Sequence, residues 1–187
     1  MKKEDQRIVL TKRLLADALT ELLKHKDLDK INVTELCRKA GINRATFYRH
    51  YETVSDIMDE MQDRLVREIR LMSNEPKNSG EVRDAIKKIA SHLYEQRELV
   101  RLILKNNADE KMAMLFNEIY KKIMEDKDLL NINFSASPKY IKFIATFIAG
   151  GTYAMLKEWI MSDEPEHPDR ISKLACELFL DDRFTNV

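Results

Sequence analysis

Breakers are scarce in this chain. Its 187 residues include four glycines and four prolines, so long stretches contain nothing that stops a helix. No convincing strand pattern appears, and Leu, Ile, Lys and Glu are abundant, which points to an all-α protein of about nine helices. There are two cysteines, Cys37 and Cys176, each in an apolar helical pattern. They read as small buried thiols in a reducing, cytoplasmic setting rather than as a disulfide framework. Long apolar runs are missing too. The most apolar stretch, Phe143 to Leu156, has 14 uncharged residues between Lys142 and Lys157, too few to span a bilayer. The N-terminal MKKEDQR has no signal-type apolar run behind it, so no membrane association is expected.

The motifs of catalysis are absent as well. No Gly-rich phosphate loop and no Ser or Cys nucleophile motif occurs. His25, His50, His92 and His167 lack metal-ligand partners at helical spacing, and Glu164-x-x-His167 straddles Pro165. No enzyme activity, cofactor or metal is expected.

What is present is a charge asymmetry. The formal net charge is zero, yet residues 1–51 hold 12 Lys+Arg against 7 Asp+Glu, while residues 52–187 hold 20 against 25. A basic head on an acidic body suggests a small polyanion-binding module joined to a larger one with another task. The head ends in RKAGINRATFYRHY, Arg38 to Tyr51, with four cations (Arg38, Lys39, Arg44, Arg49), a histidine, three aromatics and no acid.

Helical spacing and caps divide the head. Helix one is predicted from about Thr11, with Leu14, Leu15, Ala18, Leu22 and Leu23 on one face. Asn32 caps helix two, Val33–Ala40, with Glu35 in capping-box position. Gly41 is placed to take the left-handed conformation beyond it. Asn43 caps helix three, Arg44–Tyr51. Two short helices joined by a Gly-containing turn make a helix-turn-helix. Thr53 caps helix four, which runs to Met72 before the breaker Asn74–Gly80. Later helices are predicted at Val82–Gln96, Glu98–Lys105, Asp109–Lys127, Pro138–Met161 (with Ser137 as N-cap after the loop DLLNINFSASP) and Pro168–Phe179.

The exposed face of helix three has the chemistry of a major-groove reader. Arg44 can fork onto guanine O6 and N7. Ala45 and Thr46 can meet thymine methyls, and Asn43, Tyr48, Arg49 and His50 suit the remaining base-edge and phosphate contacts. Asn32 and Thr34 stand beside the free N–H groups of helix two, where a phosphate would sit. The same patch would also suit a protein partner, which leaves a non-catalytic interaction adaptor as the alternative.

The stretch VTELCRKAGINRATFYRHYETVSDI resembles the head of the tetracycline-repressor (TetR) family of bacterial transcription regulators. Ala40-Gly41 stands at the turn, with Thr46-x-Tyr48, His50 and Tyr51 following. The resemblance covers residues 11–60. It implies a DNA-binding domain over 1–53 and an effector-binding and dimerisation domain over 54–187, linked by helix four. The family usually carries a phosphate-binding lysine where this chain has Val54, so that contact is either lost or supplied by Lys2, Lys3 or Arg7 of the N-terminal arm. The last two helices, with Gly150-Gly151 and Trp159, look like the version common in Gram-positive bacteria.

The resemblance further implies a homodimer on a palindromic double-stranded operator, most simply a repressor released by a small-molecule effector. Control by a protein coregulator is the alternative. The effector would act through helix four, from a cavity of about 300–1,000 Å³. His92, Tyr94, Leu102, Phe116, Tyr120, Phe143 and Phe147 are the candidates to line it, although each would serve equally as core. Ala145, Ala149, Gly150, Trp159, Leu174 and Leu178 are the candidate dimer-interface residues on the last two helices, with monomer core again the alternative.

Overall fold

The computed structural model describes residues 3–74, 76–106, 109–125 and 138–179. Among them are nine α-helices, one 3-10 turn and no strand. They are α1 (Lys3–Leu23), the 3-10 turn Leu28–Lys30, α2 (Val33–Ala40), α3 (Arg44–Tyr48), α4 (Val54–Met72), α5 (Ser79–Glu95), α6 (Arg97–Lys105), α7 (Asp109–Glu125), α8 (Pro138–Met161) and α9 (Pro168–Phe179). The all-helical expectation holds. No helix among the described residues is long and apolar enough to cross a membrane. The chain forms two compact units, Met1–Leu65 and Val66–Val187, and the division falls inside α4.

In the first unit, Leu15, Leu19, Leu36 and Phe47 are fully buried, with Cys37, Tyr51, Ile57, Met58 and Met61 beside them in the buried set. α1 packs on α2 and α2 on α3. Helix α1 starts eight residues before the predicted Thr11. No breaker precedes that point, but Ile8, Val9 and Leu10 are exposed, so the core-facing periodicity that marked the helix begins later than the helix itself. α2 has its predicted bounds. Asn32 accepts a hydrogen bond from the Glu35 N–H at 2.9 Å. Gly41 is left-handed (φ 67°, ψ 27°), its N–H donates to Arg38 O at 3.4 Å, and the Ile42 N–H donates to Cys37 O at 2.9 Å. This is a Schellman ending, which satisfies two carbonyls that helix α2 would otherwise leave open.

α3 ends at Tyr48, three residues before the predicted end. The Phe47 carbonyl accepts both the His50 N–H at 2.9 Å and the Tyr51 N–H at 3.0 Å, which tightens the chain into a turn. That turn carries Tyr51 inward. Its hydroxyl donates to Glu60 at 3.1 Å, the same carboxylate takes Lys12 at 2.6 Å, and the Lys12 ammonium lies 5.3 Å above the Tyr51 ring. Burial, reinforced by Glu60, pushes the Tyr51 phenol well above its ordinary range, so it stays a neutral donor. α4 opens with the predicted cap. The Asp56 carboxylate accepts from the Thr53 N–H at 2.9 Å and the Glu52 N–H at 2.8 Å, and these bonds hold its pKa below the usual value.

In the second unit α7 packs along α8 and α5 along α9. α5 begins at Ser79, earlier than the predicted Val82, because Asn78 caps it by accepting the Glu81 N–H at 3.0 Å. Gln96 ends α5 and opens α6, the break expected there. The predicted loop DLLNINFSASP and its Ser137 cap lie outside the described residues, apart from Pro138, which begins α8. Arg101 fastens the end of α8, with Nε donating to Ile160 O at 2.6 Å and a second nitrogen to Ser162 O.

A methyl group added at Gly41 would meet nothing within 4 Å, so its substitution isolates backbone strain. Gly41→Ala should lower unfolding free energy by about 1–2 kcal/mol in urea denaturation, and Gly41→Asn by clearly less, because Asn tolerates the left-handed region. Equal losses for the two variants would show that the strain is not what the turn depends on.

Candidate nucleic-acid interface

α3 is five residues long and only Phe47 in it is buried. Arg44, Ala45, Tyr48 and Arg49 are exposed, as is Asn43 at the cap, while Thr46 and His50 are half-buried. Asn43 accepts a hydrogen bond from the Ala45 N–H at 2.8 Å, which fixes the start of the helix. Phe47 meets the Tyr48 ring edge-on, with centroids 5.3 Å apart, and the Arg44 guanidinium sits 6.0 Å from the Tyr48 ring. A buried anchor thus orders a surface aromatic, and the aromatic orders a surface cation. Asn32 and Thr34 are exposed at the start of α2. Lys3 begins α1, but its side chain is outside the described set, and Lys2 lies outside the described residues altogether.

The charges of this unit are unevenly paired. Lys12, Lys24, Lys26 and Lys30 each hold a carboxylate at 2.7 Å or less. Arg38, Lys39, Arg44 and Arg49 are exposed and hold no carboxylate at ion-pair distance among the described residues, although Lys39 acts on Glu21 from farther away. These cations cluster at the end of α2 and on α3, next to a row of polar donors. That arrangement suits a phosphate backbone, which offers regularly spaced anions and acceptors. Arg38 and Lys39 were not among the residues singled out from sequence as contacts. The basic last turn of α2 was the signal that could have found them.

In the second unit a small apolar cavity lies between α5, α7 and α8, closed by Ser73 and Pro76 from the α4–α5 linker. Its volume is about 30 Å³, room for a water or two, and far below the expected 300–1,000 Å³. Of the residues proposed to line it, Phe116 and Tyr120 do. Tyr120 accepts a hydrogen bond from Thr152 at 3.0 Å, and burial pushes its phenol up to about 12. The other five lie elsewhere. His92 pairs with Glu68 at 2.9 Å and touches Gln96. Tyr94 stacks on Trp159 at 6.0 Å, and Leu102 is half-buried on α6. Phe143 and Phe147 are 58% and 72% exposed, so they face away from any interior site. The walls that sequence reading missed, such as Val82, Ile86 and Ile89 on α5 and Ile119 and Ile123 on α7, recur at three- and four-residue spacing.

The family model described as Bacterial regulatory proteins, tetR family, matches residues 15–61, and that described as Transcriptional regulator C-terminal region matches residues 80–181. The chain belongs to the TetR family. The first of these models spans the α2–α3 pair, which forms the helix-turn-helix. The HTH-type transcriptional regulator YxbF of Bacillus subtilis is 23% identical over 175 residues, covering 90% of this chain and 44% of that protein. The chain thus spans less than half the length of the curated relative it matches. Among solved structures, the dihydroxyacetone kinase operon activator DhaS superposes with a TM-score of 0.69 at 17% identity, covering 92% of this chain and 95% of that one. A TetR regulator from Streptococcus agalactiae gives 0.64 at 20%, covering 95% and 98%. The fatty acid degradation regulator FadR of Bacillus halodurans gives 0.64 at 16%, covering 94% and 97%. At these identities the likeness establishes the fold.

Two features set this chain apart from what the TetR resemblance led one to expect. Val54, at the position of the family's phosphate-binding lysine, is 8% exposed and belongs to the packing of the head. Ala145, Ala149 and Trp159 are also buried within the protomer, at 1%, 1% and 6%, and are not on a free face. Trp159 is committed internally, donating its indole N–H to Glu166 O at 2.7 Å. Gly150, Leu174 and Leu178 are exposed, as expected of interface candidates.

Arg44→Ala is expected to flatten the preference at one base pair per half-site, at a cost of about 1–3 kcal/mol for each bidentate pairing with a base that the variant can no longer make. Tyr48→Phe should instead weaken binding evenly across sequences. Binding of both variants to a library of single-base operator variants would check this. An unchanged preference matrix for Arg44→Ala would place Arg44 on the backbone.

Proposed function

We propose that the protein acts as a homodimer that reads an inverted repeat in duplex DNA through α3, and that it represses transcription until an effector bound behind α4 releases it. The observation that carries the reading is the group of exposed cations on α2 and α3 with no carboxylate at ion-pair distance among the described residues, set on a helix held by one buried residue. Arg44, Ala45 and Thr46 read base edges. Asn32, Thr34, Asn43, Tyr48, Arg49 and His50, with Lys3 from the arm, hold the backbone in register. Arg38 and Lys39 join that second group.

An exposed apolar stripe supports the dimer. On α8, Tyr140, Phe143 and Phe147 are 54%, 58% and 72% exposed and lie three or four residues apart, continuing through Gly150, Gly151 and Ala154. Leu174 and Leu178 on α9 are 42% and 37% exposed. A stripe of this size on one protomer is suited to its symmetry mate, as in a four-helix interface. Phe143 and Phe147 thus pass from the effector group to the interface group, with Gly150, Leu174 and Leu178. In the effector group Phe116 and Tyr120 stay. α4 is one continuous helix that contributes to both units, so a change at its C-terminal end is a route to the heads.

One observation favours a second reading. The cavity beside α5, α7 and α8 is small, about 30 Å³, whereas the Thermus thermophilus FadR repressor, of similar fold, was solved with lauroyl-CoA. A regulator with so little room could instead be controlled by a protein coregulator docking on its surface.

Phe147→Asp should convert the dimer to monomer in sedimentation and weaken operator binding by about 10²–10⁴, because the second half-site no longer adds. For the unaltered protein, log affinity should fall linearly with log salt, with a slope of about −0.9 per phosphate contact. An unchanged sedimentation coefficient, or affinity indifferent to salt, would contradict the reading.

A further inference from the structure

Tyr120 and Thr152 carry two hydroxyl groups and share one hydrogen bond, 3.0 Å between the oxygens. They are 5% and 2% exposed. Two O–H groups with one bond between them leave one proton over, whichever oxygen donates, and the Cys176 sulfur, which also acts on the Tyr120 phenol, is only a weak acceptor. A buried donor with no strong protein acceptor is costly, and interiors seldom keep one without use. Both residues line the apolar cavity of the second unit, and none of its wall residues bears a charge.

We infer that this cavity takes an uncharged, mainly hydrocarbon ligand with one accepting oxygen, such as a ketone or ester, which receives the spare proton of the Tyr120–Thr152 pair. The inference rests on the reading of the cavity as the effector site. A carboxylate, phosphate or ammonium group would be stripped of water there with no counter-charge to meet it. The apolar body is specified by Ile86, Ile89, Ile119, Ile123, Phe116 and Leu156. The cavity has about 30 Å³, so the ligand must enlarge it. The yielding wall is the α4–α5 linker, which contributes Ser73 and Pro76 and can shift without breaking a helix interior. Ser73 is tied to the last turn of α4, its N–H donating to Ile69 O at 3.0 Å and its hydroxyl to Arg70 O at 3.0 Å. A ligand that presses on Ser73 therefore presses on α4.

The test uses the full chain at neutral pH with 2-butanone, 2-octanone, octanoate and octylamine as probes. Binding is read by calorimetry and thermal unfolding, and affinity for a duplex selected on this protein is read in parallel. A ketone should bind, with octanoate and octylamine weaker by about tenfold or more. The double variant Tyr120→Phe with Thr152→Val removes both hydroxyls and nearly keeps their shape. It should lose about two- to tenfold in ketone affinity while its melting temperature holds or rises, since both hydrogen-bond partners go together. The inference is overturned if octanoate or octylamine binds as tightly as the ketones, if no probe binds, or if the folded double variant binds ketone unchanged. Ketone binding in the expected pattern with operator affinity unmoved would sustain the ligand class and remove the effector reading. Release of the operator by octanoate would do the reverse.

Discussion

Phe47 carries the reading helix. It is the one buried residue of α3, fully enclosed, while the rest of the helix is exposed or half-buried. A helix of five residues has no stability of its own. It persists because both ends are fixed. Gly41 and the Asn43 cap set its start, and the Phe47 carbonyl, shared by His50 and Tyr51, closes its end. Tyr51 then ties this turn to Lys12 of α1 and Glu60 of α4. The fully buried Leu15, Leu19 and Leu36 belong to the same head core.

The electrostatics follow the same economy. Lysines away from the reading face are neutralised at short range, and those pairs tune the surface with little effect on stability. Cations on the face hold no carboxylate at ion-pair distance among the described residues, so no close ion pair must be broken if a phosphate binds there. Val54 fits this pattern from the other side. Its position is used for packing.

What was legible in the sequence was local chemistry. The Asn32 and Asn43 caps, the Gly41 turn and the Thr53–Asp56 box each depend on a few adjacent residues and form as read. The end of α3 was not legible, because the pull on Tyr51 comes from α1 and α4. In α8 the phase of the helix could be read but not its orientation. A helix apolar nearly all round does not declare which side turns inward. Here the small residues Ala145 and Ala149 go to the crowded interior, where α8 runs against its neighbours. The large Phe143 and Phe147 go out, the reverse of what ring size alone suggests. The cavity volume was illegible for a similar reason, since it depends on how Ile, Val and Phe side chains from three helices interlock.

The central claim is that α3 reads sequence in a two-fold assembly, and selection of bound duplexes from a random pool tests it most directly. The account predicts an inverted repeat whose half-sites are about one helical turn, 10–10.5 base pairs, apart. Recovery of no consensus, or of an unpaired half-site with affinity equal to that of the repeat, would contradict it.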